Sequence, residues 1–316
     1  MADILTSSYN PAEMQSTIYE DVEGVIQNIT PHKTPFIASI GRVDVDNILH
    51  EWLEDELKKP SGDNRVVEGA DAEATERQVP QRLSNYTQII DDTFKVSGTQ
   101  DKVNTIGRTK TSTYQLEKSL KYLNTELEYQ ALNNSTKDGG DAATERKMMG
   151  LDGFVTTNDF SLTPDPANVL SEEILMDMSP AIFESCEDDA HILLVSSATA
   201  KVIAGWDQNS RITVNTNASE KKLIMAVMVL ETPFGTIRIV LERYITLNID
   251  SGNYYDGAYL YEASKQKIGW LRNWKTDKLA KTGDAQKYQT VGEMTFVTHS
   301  EKAAAKCKGL YVKPVS

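Results

Sequence analysis

Residues 53–78 read LEDELKKPSGDNRVVEGADAEATERQ, and twelve of these 26 residues carry a charged side chain. Large apolar side chains occur in this stretch at only four positions, which are Leu53, Leu57, Val66 and Val67. A segment of this composition cannot bury enough apolar surface to offset the conformational entropy that it loses on ordering. We therefore expect another surface to order this segment, which is called the charged arm below.

The segments on either side of the charged arm have the alternating pattern of β-strands. Val43–Trp52 precedes the arm and places apolar or aromatic side chains at every second position over most of its length. Tyr86–Val96 follows the arm and alternates through Ile90, Phe94 and Val96. This order of strand, polar excursion and strand predicts a long hairpin-like extension, with Trp52 as an anchor at its base.

A long amphipathic helix is predicted for residues 109–133, because leucines recur there at helical spacing and neither Pro nor Gly interrupts the pattern. The apolar stripe consists of Leu116, Leu120, Leu123 and Leu127, and around it lie the charged residues Glu117, Lys118, Lys121, Glu126 and Glu128. At ~1.5 Å per residue, about 25 residues form a rod of roughly 37 Å. A coiled-coil seam is the alternative interpretation, but the stripe covers less than two heptads, which favours packing inside the subunit.

The second half of the chain predicts an α+β module. Ser171 is a candidate N-cap for a helix over 172–186, whose first turn is acidic. The other predicted elements are a strand at 191–196, a helix at 196–206, a hairpin within 223–241, strands at 247–250, 257–263, 293–299 and 308–312, and a short Ala-rich helix, EKAAAK, at 301–306. Near the N-terminus, Ile18, Val22 and Ile26 predict a short amphipathic helix.

Composition restricts the protein to the soluble, folded class. The chain has 316 residues, of which 40% are hydrophobic and 25% charged, and its formal net charge is −13. An acidic chain repels phosphate backbones and anionic membrane surfaces at long range. Its two cysteines, Cys186 and Cys307, form neither a disulfide framework nor a zinc motif, which favours a reducing compartment. The longest apolar run, Leu223–Leu230, is far too short to span a bilayer, so no membrane partner is expected.

No catalytic, cofactor-binding or metal-binding residue is predicted. The sequence lacks phosphate-binding loops, dinucleotide fingerprints, nucleophile elbows, zinc-protease motifs and EF-hand loops. The cluster Cys186–His191 combines a thiol, carboxylates and an imidazole, but a metal site would need further ligands, and a solvated turn is the favoured interpretation. Asp250, Asn253 and Asp256 miss the calcium-loop spacing and are assigned to a turn.

A basic stretch, KQKIGWLRNWKTDKLAKTG at residues 265–283, contains six Lys or Arg residues, one Asp, and the interleaved Trp270 and Trp274. The favoured interpretation is a docking surface for acidic segments of neighbouring chains. A plain solvated face with two packed tryptophans is the second interpretation. The third is binding of single-stranded nucleic acid, which the composition of the stretch fits and the acidic chain around it disfavours.

Six stretches, taken in order, resemble tailed-phage major capsid proteins of the Hong Kong 97 type, and most closely their SU-ten-like branch. They are TPHKTPFIASIG (30–41), HEWLEDEL (50–57), VVEGADA (66–72), NYTQIIDDTFKVSGTQ (85–100), RKMMGLDGFVTTN (146–158) and LAKTGDAQKYQTVGEMTF (279–296). The resemblance implies an α+β fold of Hong Kong 97 type and a structural subunit of an icosahedral phage head. Such subunits assemble into hexamers and pentamers and enclose the DNA genome.

The resemblance also implies a division of the chain into named parts. These are an N-terminal arm at 1–35, an extended loop hairpin with its base at 36–96, a peripheral domain at 97–160 and 285–316 with a spine helix at 109–133, and an axial domain at 161–284. The short stretch ahead of the arm-like helix leaves no room for a fused scaffolding segment, so a separate scaffold protein is expected.

In this family the extended loop lies across a neighbouring subunit, so its charges find their partners between chains. The candidate inter-subunit contacts are Trp52, Glu56, Lys58, Arg65, Glu68, Asp71, Glu73, Arg77, Lys265, Lys267, Arg272 and Lys275. Further expected partners are the portal, decoration or cement proteins, and packaged DNA that faces the inner wall without specific binding. Assembly of the head is expected in the cytoplasm of the host bacterium.

Overall fold

The computed structural model describes residues 33–58, 60, 62, 65–71, 77, 79–103, 110–185, 191–206, 229–245, 248–250, 253–281 and 283–312. The predicted N-terminal helix at Ile18–Ile26 lies outside these residues, as do Glu73 and the Cys186–Asp189 part of the thiol and carboxylate cluster.

Helices and strands alternate along the described chain. The helices are α1 (Pro35–Ser39), α2 (Gly98–Lys102), α3 (Thr111–Asn133), α4 (Leu151–Phe154), α5 (Glu172–Ser185) and α6 (Ser197–Ala204). The strands are β1 (Gly41–Asp44), β2 (Leu49–Glu54), β3 (Gln81–Tyr86), β4 (Gln88–Ser97), β5 (Ile192–Val195), β6 (Val229–Thr232), β7 (Gly235–Leu241), β8 (Asn248–Asp250), β9 (Asn253–Tyr261), β10 (Gln266–Lys278), β11 (Ala285–Thr298) and β12 (Ala304–Val312). Short 3₁₀ turns at Ala263–Lys265 and Glu301–Ala303 precede β10 and β12.

Within the described residues the strands form three sheets. A four-stranded sheet has the order β1-β10-β11-β4, and a six-stranded sheet has the order β12-β9-β5-β7-β6 with β8 paired to β9. The remaining sheet is the two-stranded hairpin β2-β3, in which Leu49 is opposite Tyr86 and Trp52 is opposite Leu83. This hairpin is the base of the predicted extension and carries the charged arm between its strands.

The long helix α3 packs on the four-stranded sheet, which it contacts through β4 and β11. Leu123, Leu127 and Ala131 are buried, whereas Leu116 and Leu120 are partly exposed. The leucine stripe therefore predicts the buried face correctly, but burial is complete only in the C-terminal half. Glu128, which the stripe pattern places among the charged residues around it, is fully buried.

A second apolar core lies around the six-stranded sheet. It includes Leu175, Met178 and Ile182 of α5, Leu193 of β5 and Leu260 of β9. The predicted Ser171 cap of α5 is confirmed, because its Oγ accepts the N–H of Ile174 at 3.2 Å. The predicted hairpin is confirmed for its described part, β6 and β7, which join through Pro233 and Phe234.

Four predictions of secondary structure are wrong. The strand expected at Tyr86–Val96 as the partner of the first strand is β4, which pairs with β11, whereas β2 pairs with β3. Asn253 and Asp256, which are assigned to a turn, lie in β9.

The single strand expected at 43–52 is two strands: β1 runs parallel to β10, and β2 pairs with β3. A turn separates them, in which the Asn47 side chain accepts the N–H of Ile48 at 2.7 Å. The Ala-rich EKAAAK forms one 3₁₀ turn and then enters β12, because its small side chains at Ala304 and Ala305 are buried against β9. Tertiary packing here overrides the helix propensity of alanine.

No described helix is long and apolar enough to cross a membrane. The division into domains stays a prediction. The predicted boundary between the axial and peripheral parts falls within the four-stranded sheet, because β10 lies in the predicted axial part and its hydrogen-bonded neighbour β11 lies in the predicted peripheral part.

Candidate inter-subunit surface

The base of the charged arm is fixed to the subunit by buried side chains. Trp52 is 9% exposed, and its ring centroid lies 5.9 Å from that of Phe154. Asn85, which is fully buried, donates to the carbonyls of Met149 at 2.9 Å and Phe296 at 2.7 Å, and accepts the Met149 N–H at 2.9 Å. Buried polar groups with satisfied hydrogen bonds hold a single geometry, so the arm has a rigid base.

A buried ion network stabilises the junction where β3 passes into β4. Thr87, the residue between these strands, donates its hydroxyl to Glu293 Oε1 at 2.8 Å. The same carboxylate accepts Arg146 Nη2 at 2.8 Å and Arg272 Nε at 2.9 Å. Glu293 is 4% exposed, and its charge is compensated by Arg146, whose side chain is 20% exposed, and by Arg272, whose side chain is 56% exposed. The junction therefore resists bending at Thr87.

Beyond this base, the described part of the charged arm is exposed. Every described residue from 55 to 80 is exposed. The large apolar side chains are no exception: Leu53 is 68% exposed, Leu57 94%, Val66 75%, Val67 80% and, just beyond the arm, Val79 81%. Apolar side chains held this far into water on a rigid base are typical of a surface that a partner covers.

Several of the predicted inter-subunit contacts have partners within their own chain, among them Trp52, Glu56, Arg272 and Lys275. Trp52 belongs to the core, and Glu56 forms an ion pair with Lys302. Arg272 pairs with Glu293, and Lys275 Nζ lies 3.1 Å from Asp277 Oδ2. The exposed members of the predicted set on the described arm are Lys58, Arg65, Glu68, Asp71 and Arg77. Lys265, at the end of the 3₁₀ turn before β10, and Lys267 in β10 are partly exposed. Their role between subunits stays a prediction.

The basic stretch 265–283 contains all of β10, and both of its tryptophan rings contact other side chains. The rings of Trp270 and Trp274 meet edge to face at 5.6 Å. The Arg42 guanidinium lies 4.9 Å from the centre of the Trp270 ring, and Trp274 Nε1 donates to Asn124 Oδ1 at 3.0 Å. Binding of single strands needs free ring faces on which bases can stack. The geometry therefore disfavours binding of single-stranded nucleic acid and leaves the docking surface and the plain solvated face as the two favoured interpretations of this stretch.

A groove of about 680 Å³ lies beside the base of the arm. Its lining includes Glu54, Leu83, Met149, Phe154, Glu301 and Lys302. Burial raises the pKa of Glu54. Burial acts in the same direction on Glu301, but hydrogen bonds from Thr157 and Thr156 outweigh it and lower its pKa. Among the described residues no group of three His, Cys, Asp or Glu side chains is placed to hold a metal ion. The lining also includes Ser84 and Lys137, whose Nζ donates to the Ser84 hydroxyl at 2.9 Å.

The polar residues that build the base of the arm are absent from the sequence-based predictions, which name only Trp52 there. Asn85, Thr87 and Glu293 are polar residues within strand patterns, where an inward-facing position is normally apolar. That anomaly is the one signal by which sequence reasoning could have found them, because their partners lie far away in the chain.

Comparison with known proteins shows which family this chain is similar to. A sequence model of the family described as SU10 major capsid protein matches residues 5–311. The major capsid protein of Escherichia phage Phieco32 is 26% identical to this chain over 315 residues, which cover 83% of this chain and 86% of that protein.

Two solved structures show the fold. The capsid of a native GTA particle superposes with a TM-score of 0.67 at 11% identity and covers 95% of this chain and 98% of that chain. The structure of Gordonia phage Cozz superposes with a TM-score of 0.65 at 13% identity and covers 96% of this chain and 94% of that chain. These likenesses confirm the predicted α+β fold of Hong Kong 97 type.

Proposed function

The chain belongs to the SU10 major capsid protein family, and we propose on this basis that its copies form hexamers and pentamers that close into an icosahedral phage head. The protein is a shell-forming structural subunit and a component of the virion. The observation that carries the proposal is the rigidly based arm, whose apolar side chains are 68–94% exposed in the single subunit.

Apolar contacts dominate the energetics of arm docking. Full burial of a Val or Leu side chain contributes about 1.5–3 kcal/mol, whereas an exposed ion pair contributes ~0.2–1 kcal/mol. Leu57, Val66 and Val67 therefore supply more free energy than the arm's charges do. The charges of alternating sign set the register of the arm on the next subunit.

The parts of the subunit divide the work of assembly. Residues 97–160 and 285–316 form the peripheral domain, with α3 as its spine helix, and residues 161–284, which include α5 and α6, form the axial domain. The arm on β2 and β3 is the extended loop, and the residues ahead of α1 form the N-terminal arm. The exposed charges Lys58, Arg65, Glu68, Asp71 and Arg77, together with Glu73, Lys265 and Lys267, make inter-subunit contacts.

The protein needs other partners to complete a head. These are a portal, a separate scaffold protein and decoration or cement proteins, and assembly takes place in the cytoplasm of the host bacterium. The inner wall faces packaged DNA without binding it specifically, since the formal net charge of −13 disfavours contact with phosphate. The subunit has no catalytic activity and no cofactor.

Expression of the full chain, alone and together with the phage's scaffold protein, tests this function by negative-stain microscopy. We expect closed hollow particles from the wild type. Replacing Leu57, Val66 and Val67 together with Ser removes the apolar contacts but touches no buried side chain, so a folded subunit without closed particles is expected. Val169→Ser is the matched control, because Val169 is exposed outside the arm.

Two results would contradict the proposal. One is a wild-type protein that stays monomeric at high concentration with the scaffold present. The other is normal particles from the triple Ser variant, which would show that the exposed apolar side chains of the arm take no part in assembly.

A further inference from the structure

Two buried carboxyl groups meet between α1, α3 and the six-stranded sheet. Glu128 on α3 is fully buried, and Glu242, directly after β7, is 1% exposed. Their side chains are within hydrogen-bond reach of each other. Neither residue belongs to the charged arm or to the groove beside it, and the proposed shell function does not use them.

Glu128 holds α1, which is called the N-terminal anchor below. Its Oε1 accepts the N–H of Phe36 at 2.6 Å, and its Oε2 accepts the N–H of Ile37 at 2.8 Å. The first N–H groups of a helix have no partner within the helix, and Thr34 at the N-cap provides no side-chain bond. Glu128 therefore caps the anchor from another element, 92 residues away along the chain.

Glu242 holds the segment that follows β7. Its Oε1 accepts the N–H of Arg243 at 2.7 Å and that of Tyr244 at 3.1 Å. Its Oε2 is buried and has no hydrogen-bond donor among the described residues. A buried acceptor without a donor costs free energy. A proton on the neighbouring Glu128 carboxyl group supplies that donor.

We propose that Glu128 and Glu242 share one proton and form a latch that fastens the N-terminal anchor and the six-stranded sheet to the spine helix, and that this latch opens in alkaline solution. With the proton in place, the two carboxyl groups are joined by a hydrogen bond. Without it, two negative charges meet in a buried site and repel each other.

The side chains around the pair do not compensate a second negative charge. On the anchor, the Ser39 hydroxyl is hydrogen-bonded to the Tyr261 hydroxyl at 2.7 Å. Tyr261 on β9 stays neutral, because burial raises its pKa and both glutamates add to that shift. The cations nearby, Arg238 on β7 and Arg243, are exposed. Asn133 of α3 donates to the carbonyl of Tyr244 at 2.7 Å, a neutral bond that does not depend on pH.

The pH range of the latch follows from the environment of Glu128. Burial, followed by the hydrogen bond and the charge of Glu242, raises its pKa from 4.5 to about 9. The folded protein therefore keeps a proton that the unfolded chain loses. The stability that the shared proton supplies is fully present below the pKa of the unfolded carboxyl group and is lost as the pH rises through about 9. One such proton changes the unfolding equilibrium constant by about tenfold per pH unit.

Glu242→Gln is the sharpest test. The Gln carbonyl oxygen can still accept the N–H groups of Arg243 and Tyr244, while the amide nitrogen donates to Glu128 without a shared proton. Urea unfolding of the full-length subunit between pH 5.5 and 9 measures the unfolding equilibrium constant of both proteins. We expect the wild-type constant to rise by up to about tenfold per pH unit relative to that of the variant. Glu117→Gln, on the exposed side of α3, is the matched control and should leave the wild-type slope unchanged.

Hydrogen exchange of the peptide that contains Phe36 and Ile37 provides a second readout. Relative to Glu242→Gln, the wild type should lose protection of these amides above pH 9, when the latch opens. If the variant fails to fold, infrared spectroscopy of the wild type at pH 7.5 tests for the shared proton. We expect the band of a protonated carboxyl group. Equal slopes in wild type and Glu242→Gln, or the absence of that band, would overturn the proposal.

Discussion

Replacing Trp52 with Ala tests whether the base of the charged arm is part of the subunit core. Trp52 is 9% exposed and packs against Phe154. Truncation of a buried Trp costs about 3–5 kcal/mol. The indole N–H of Trp52 is buried with no acceptor among the described residues, and its removal recovers part of that cost. We therefore expect a loss of about 3 kcal/mol, near the lower end of the range.

Trp52→Phe separates the contribution of ring packing from that of the buried indole N–H group. Phenylalanine keeps most of the packing and removes the N–H group that lacks an acceptor, so the free energy of unfolding should change by less than about 1 kcal/mol. Urea denaturation followed by far-ultraviolet circular dichroism measures both variants. For a chain of this length, a loss of about 3 kcal/mol corresponds to a fall in Tm of roughly 5 °C.

An unchanged free energy of unfolding in Trp52→Ala would refute this reasoning, since it would place the indole outside the core. Trp52→Phe provides a check on assembly. We expect it to form normal particles, because Trp52 acts within its own subunit. Failure of this stable variant to assemble would instead restore Trp52 as an inter-subunit contact.

Three further predictions follow from single buried positions. Glu293→Ala leaves Arg146 without its buried partner and should lower the free energy of unfolding by about 3 kcal/mol in urea denaturation; a loss below about 1 kcal/mol would contradict the ion network. Gly309→Ala should destabilise more than Gly62→Ala in the same assay, because both glycines have positive φ but only at Gly309 would Cβ lie 2.2 Å from the carbonyl oxygen of Leu162. Burial raises the pKa of the Cys307 thiol to about 12, so a thiol reagent at pH 8 should label it only after unfolding, and rapid labelling of the native protein would exclude that burial.

Elements with a strong local pattern could be predicted from the sequence. The Ser171 cap is set by a hydrogen bond within one helical turn and forms as expected. Period-two alternation on both sides of the polar stretch indicates β2 and β4, but the strand that pairs with β2 is β3, which the alternation did not reveal. Alternation alone did not reveal that β1 and β2 are separate strands in different sheets, because the break depends on which partner strand each one meets.

The interior polar groups could not be predicted, because their partners are distant in sequence. Glu128 has the spacing of a residue beside the leucine stripe, yet α1 covers it and it becomes a cap for Phe36. Glu56 is a predicted contact for a neighbouring subunit, and its partner within its own chain is Lys302, 246 residues away. The charges of the sequence therefore indicated where ion pairs form but did not identify the partners.

The rigid base and the exposed arm have to be considered together. A flexible limb would lose much conformational freedom on docking, and that loss would oppose its apolar contacts. The buried bonds of Asn85 and Thr87 fix the hairpin as part of folding, so in the proposed docking a neighbouring subunit has to position only the residues beyond Glu54. Each docked arm then contributes a modest free energy, and many copies together hold a closed shell while single contacts can still dissociate and correct errors. On this argument a change at Asn85 should weaken assembly without altering the docking surface, by loosening the base that presents it.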